Sequence, residues 1–101
     1  MAAVRILVDP DVFIDYFNAG DYAGVLDDRQ TTIYYSVVTR KELLGKPGLK
    51  DRERQAIIDA LRRFRLVPLS AATALDKRLP LMTRNWRHFR RVPGLTLYSG
   101  R

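Results

Sequence analysis

Residues 4 to 8, Val-Arg-Ile-Leu-Val, run without a linker into Asp9-Pro10 and then into apolar residues at Val12, Phe13, Tyr16 and Phe17. The first run is apolar except for Arg5 and rich in β-branched residues, which reads as a buried strand. Asp9 suits a helix N-cap and Pro10 the first helical position, and the residues that follow fall on one helical face. A strand that feeds directly into an amphipathic helix restricts the chain to folds in which helices cover a sheet.

The alternation continues. Ile33 to Ser36 reads as a strand and Val37 to Leu44 as a two-turn helix closed by Gly45-Lys46-Pro47-Gly48. The start of that helix is ambiguous between Ser36 and Thr39. Asp51 is placed as the cap of a longer helix carrying Ala56, Ile57, Ala60, Leu61 and Phe64 on one side. Leu66 to Leu69 reads as a strand, Ser70 to Lys77 as a short helix, Leu81 to Thr83 as a strand, Trp86 to Phe89 as a helical turn and Leu95 to Tyr98 as a final strand. The order predicts one three-layer α/β domain over residues 1–101, with a mainly parallel central sheet, right-handed crossovers and a site at the carboxyl ends of the strands. A chain of 101 residues has room for one modest core.

Charge divides the chain. Residues 1 to 28 hold six Asp against Arg5 alone, a balance of −5, so the remainder carries +12 of the net +7. An acidic end on a basic body suggests a polyanionic partner on one surface and a polar or cation-binding site elsewhere; the bland reading is a soluble, charged surface. With no cysteine, a metal must be held by oxygen or by the single histidine, His88, which favours a hard cation. No apolar run reaches the roughly 20 residues of a membrane span and the start lacks signal-peptide features, so a cytoplasmic protein with no membrane partner is expected.

The acidic residues read two ways. Asp9 and Asp11 are either turn and helix-start groups or part of a metal site, and Asp15, one turn on, reads as solvated or paired. Glu42 fits a capping box from Thr39, but a helix starting at Ser36 leaves it inside, free to point at the strand ends. Thr83 and Asn85 either cap the turn at Trp86 or orient water or phosphate. Arg84, Arg87, Arg90 and Arg91 around Trp86 form a basic cluster suited to phosphate contacts with one stacked base; its alternative is a solvated face. His88, beside Phe89, reads as a packing or surface residue.

Three blocks, LVDPDVFIDYF (7 to 17), SVVTRKELLG (36 to 45) and AATALDKRLPLMTRNWRHFRRVPGLTLY (71 to 98), together resemble the PIN domains, and within them the VapC-type toxin ribonucleases. They stand in family order and cover about half of the chain. The resemblance implies a metal-dependent endoribonuclease that uses Mg²⁺ or Mn²⁺ to activate water against an RNA phosphodiester, and an antitoxin protein as partner. It carries the catalytic and metal roles onto Asp9 and Glu42, a further ligand onto Asp11, and a site-completing polar role onto Thr83, Arg84 and Asn85, with Asn85 among the catalytic residues; the RNA-binding role of Arg84, Arg87, Arg90 and Arg91 is the reading of the basic cluster itself.

One acid has no match. In the family an Asp stands at the head of the helix that holds the Ala-Ala-Thr-Ala run, preceded by another helical segment. Here Val67-Pro68-Leu69-Ser70 runs straight into Ala71, as if that region were deleted. Ser70 would lie near the site without charge, and Asp76 toward the opposite edge. The expected consequence is a weakened nuclease, or an inactive PIN-like domain that binds RNA or protein. A purely nucleic-acid-binding module is the third reading. The lost segment should also uncover apolar surface, and the expected assembly is a homodimer or higher oligomer.

Overall fold

The computed structural model describes residues 4–67 and 78–98. β1 (Val4–Val8) lies between β2 (Thr31–Ser36) and β4 (Leu81–Met82), and β3 (Arg65–Val67) flanks β2 on its outer side, giving the order β3-β2-β1-β4. Every pairing is parallel, with Ile6 opposite Ile33, Tyr35 opposite Leu66 and Leu7 opposite Leu81. The α/β architecture with a mainly parallel sheet is as expected. β1 is central and apolar at its end because both of its faces are covered: Ile6 and Val8 enter a large cluster, Leu7 a smaller one.

The large cluster fills the face under α1 (Pro10–Ala19), α2 (Ala23–Leu26), α3 (Val37–Leu44) and α4 (Asp51–Leu61). Phe13 is its fully buried centre, with ring centroids 5.6 Å from Phe64 and 6.2 Å from Tyr35, the latter edge-on. Each such aromatic pair adds ~0.5–1.5 kcal/mol beyond the area buried. On the opposite face Leu7, Val67, Leu79 and Leu81 pack with Phe89, Leu95 and Leu97. Phe89 belongs to α5 (Trp86–Phe89). At the rim of the first face, the Tyr16 hydroxyl donates to Asp27 at 2.6 Å, and Arg63 reaches both Asp27 and Tyr16, at 3.2 and 2.9 Å. This knot ties α1, the end of α2 and the turn after α4.

Several boundaries differ from expectation. β2 begins at Thr31, two residues early, and β4 stops at Met82, leaving Thr83 free of the ladder. The N-cap of α4 is Lys50, whose N–H donates to Glu53 Oε1 at 3.2 Å; Asp51 is the first helical residue, and Phe64 packs from the turn beyond the helix. The expected strand at Leu95–Tyr98 is a single bridge, Leu81 to Leu97, formed just after the left-handed Gly94 turns the chain. α2 was not foreseen. Its N-cap is Tyr22, whose φ of 65° gave no signal in the sequence. The expected helix at Ser70–Lys77, the end of the strand at Pro68-Leu69, and the proposed deletion before Ala71 lie outside the described residues.

Candidate active site

The chain leaves β1 toward β2 and β3 and returns to β4 on the other side of β1, so a topological switch point falls between β1 and β4. Open α/β sheets leave a crevice at such a point, outside the carboxyl ends of the strands. The ladder sets its first two residues side by side. Asp9 N–H donates to the Met82 carbonyl at 2.9 Å, which puts the residue after β1 against the residue after β4, Thr83.

Asp9 occupies the N-cap position of α1 with an extended backbone, but its side chain makes no cap hydrogen bond. The carboxylate instead accepts the Thr83 hydroxyl at 2.9 Å. Thr83 Oγ1 in turn accepts the N–H of Asn85 at 3.0 Å and lies 3.4 Å from Asp11 Oδ2. A hydroxyl has one proton to give, and the shorter contact assigns it to Asp9. Burial pushes the Asp9 carboxyl above the usual carboxylate value; the Thr83 hydrogen bond opposes this, and the charges of Asp11 and Glu42 add to it.

Asp11 and Asp15, one turn apart on α1, face Arg84. The Arg84 N–H points at the Asp11 carboxylate at 3.2 and 3.4 Å, its Nε lies 3.8 Å from Asp11, and its Nη1 lies 3.3 Å from Asp15. Asp15 is therefore paired, one of the two roles read for it. The i, i+4 spacing of Asp11 and Asp15 was the signal that both would meet one cation.

Glu42 is settled by the start of its helix. Ser36 is the N-cap of α3, its hydroxyl accepting Thr39 N–H at 3.2 Å, so Glu42 lies inside the helix and not at the third position of a capping box. It is exposed, and its charge reaches Asp9. Asn85 contributes its backbone N–H to the site. Arg87 and Arg90 stack their guanidinium groups on Trp86 at 5.2 and 5.3 Å, Arg91 is exposed, and His88 packs edge-on against Phe89 at 5.1 Å.

The donors at the site are oxygens, a set that suits a hard divalent cation, and a half-buried Asp9 facing two like charges is a group that a cation would relieve. Among the described residues, no three His, Asp or Glu side chains stand close enough together to enclose a cation. An ion at this site would have few carboxylate ligands and would need water to complete its shell.

No described helix is long and apolar enough to cross a membrane. No family model matches the sequence, and no curated protein does. Solved structures do match. A chain of VapBC2 from Rickettsia felis, crystallised bound to a DNA fragment from their promoter, superposes with a TM-score of 0.75 at 16% identity, covering 94% of this chain and 98% of that one. A toxin–antitoxin complex from Klebsiella pneumoniae contains a chain with a TM-score of 0.66 at 24% identity, covering 90% of this chain and 95% of that one. At these identities the likeness establishes architecture: the chain has the PIN-like fold of these toxin–antitoxin proteins.

Proposed function

We propose that the chain is a VapC-like, metal-dependent endoribonuclease, the toxin of a toxin–antitoxin pair, with a site weakened by the loss of a third acid. The observation that carries this reading is the orientation of Asp9. A residue positioned to cap a helix leaves that helix uncapped and turns its carboxylate into the switch-point crevice, onto Thr83 and beside Asp11. The carboxylate gives up a cap worth about 1 kcal/mol and takes the Thr83 hydroxyl in its place, which sets it at the carboxyl ends of the strands beside Asp11.

In this reading Asp9 and Glu42, with Asp11 beside them, hold one Mg²⁺ or Mn²⁺, and Thr83 fixes the rotamer of Asp9. Such an ion, when bound, polarises the phosphodiester and lowers the pKa of its water. Arg84 stands where it can exchange its carboxylate partners for a phosphate, Asn85 braces Thr83 through its backbone N–H and completes the catalytic set, and Arg87, Arg90 and Arg91 hold the flanking RNA backbone. The partners are RNA and, by analogy with the two complexes, an antitoxin protein. The alternative is a catalytically inactive PIN-like domain that binds RNA or protein. It is favoured by the absence of a three-carboxylate group among the described residues and by the hold of Arg84 on Asp11 and Asp15.

Calorimetric titration of Mn²⁺ into the native protein and into Asp9→Ala, followed by an RNA cleavage assay, separates the two. Saturable binding and cleavage, both lost in Asp9→Ala, support the nuclease. Binding or cleavage unchanged by the substitution would remove Asp9 from the chemistry, and no binding in either protein leaves the inactive module.

A further inference from the structure

Next to the carboxylates lies an open cleft of about 900 Å³ that the proposed cleavage chemistry does not use. It shares Thr83 and Arg84 with the acidic site, so the two are continuous. Three of its walls are aromatic: Tyr22 from the turn between α1 and α2, Trp86 from α5, and Tyr98 from the segment bridged to β4. Tyr22 and Tyr98 are braced against the large core cluster, whereas Trp86 is 46% exposed and belongs to neither cluster. Among the described residues, the indole is flanked by the guanidinium groups of Arg87 and Arg90 and joins neither apolar cluster. An exposed aromatic flanked by two cations beside two partly buried ones is poor core design and a good stacking platform.

We propose that this cleft receives one unpaired base of a single-stranded RNA, next to the phosphodiester that lies at the carboxylates. The inference rests on the nuclease reading only for where the neighbouring phosphate sits. Volume suits a nucleotide, since ligand sites run from about 300 to 1,000 Å³. Charge sorts the occupant. Arg84 on its wall, and Arg87 and Arg90 over the Trp86 ring, offer cationic partners for phosphate, while Asp21 on its wall repels phosphate and accepts hydrogen bonds only. Asp21 favours a base with an exocyclic amine, as a carboxylate does with cytosine N4, and is repelled by the two carbonyl oxygens that flank the single ring N–H of uracil. A duplex is excluded because its bases have no free face to stack.

Trp86 is the sole tryptophan, so its fluorescence reports the cleft directly. The full chain is titrated in EDTA, where no cleavage occurs, with a single-stranded cytidine hexanucleotide, a uridine hexanucleotide, a sugar-phosphate hexamer without bases and a double-stranded RNA. The expected result is quenching by the cytidine strand, weaker binding of uridine, and loss of quenching with the abasic strand. Tyr22→Ala and Tyr98→Ala should each weaken binding roughly 5- to 150-fold, the worth of one stacked base. Equal binding of the abasic strand or the duplex would overturn the proposal, leaving a phosphate-binding surface only. Should the tyrosine variants fail to fold, the abasic comparison on the unaltered protein still decides. Quenching without any Mn²⁺-dependent cleavage would keep the cleft and sink the nuclease; cleavage without quenching would do the reverse.

Discussion

Thr83→Val tests the electrostatics of the site with a nearly isosteric change. The hydroxyl donates to the Asp9 carboxylate at 2.9 Å in a part-buried setting. A hydrogen bond to a charged acceptor contributes about 1.5–3 kcal/mol, and the solvent reaching Asp9 argues for the lower end, about 1.5 kcal/mol at pH 7. For a domain of this size that lowers Tm by roughly 6–12 °C. The sign with pH follows from the Asp9 carboxyl, whose pKa burial raises and the Thr83 hydrogen bond holds down. Removing the donor raises it further. The variant's deficit is therefore full above the variant's own, higher Asp9 pKa and shrinks as the pH falls through it to the native folded-state value. There the neutral acid bonds about half as strongly, and about 0.7 kcal/mol remains. Urea denaturation in EDTA at several pH values, repeated in an Asp9→Asn background, measures the coupling. A deficit that is the same at pH 7 and pH 4, or unchanged in the Asp9→Asn background, would refute the hydrogen bond as the source.

Asp9→Asn alone should stabilise the metal-free protein at neutral pH, because it removes the buried charge and its repulsion from Asp11 and Glu42. The gain should fade as acid protonates the native Asp9, and calorimetric scans across pH check it. Ser36→Ala removes the buried cap of α3 and should cost ~1–2 kcal/mol in chemical denaturation. Arg84→Ala should change stability by less than about 1 kcal/mol, since its ion pairs are half exposed, yet reduce the slope of log affinity for RNA against log salt by about 1. Light scattering at micromolar concentration should give the mass of a homodimer or higher oligomer, in keeping with Leu66 lying 49% exposed on the edge strand β3; a monomeric mass would remove that expectation.

The strand-to-helix unit at residues 4 to 19 was legible because two local signals coincide there: an apolar run with no periodicity, and a Pro at the first helical position followed by a helical stripe. Longer-range facts were legible only in part. That Asp9 would forgo its cap depends on Thr83, 74 positions away, which no local pattern encodes. The start of α3 was ambiguous because Ser36 and Thr39 are both good caps, and packing chose Ser36 by burying both hydroxyls. α2 escaped because four residues show no period and its first turn hangs on a tyrosine in the left-handed region. The arginine cluster was visible, but the two tyrosines that line the cleft with Trp86 were not, since Tyr98 read as the end of a strand and Tyr22 lies in a turn that carries no periodic signal.

The strand order β3-β2-β1-β4 also sets when the acidic site comes into being. β1 and β2 are close in the chain and can pair early, whereas β4 closes a loop of more than 70 residues and should join late. During synthesis, Asp9, Asp11 and Glu42 are exposed well before Thr83 and Arg84 have left the ribosome. A half-translated chain therefore carries the carboxylates without the hydroxyl and arginine that organise them, and the last pairing of the sheet is the step that assembles the crevice.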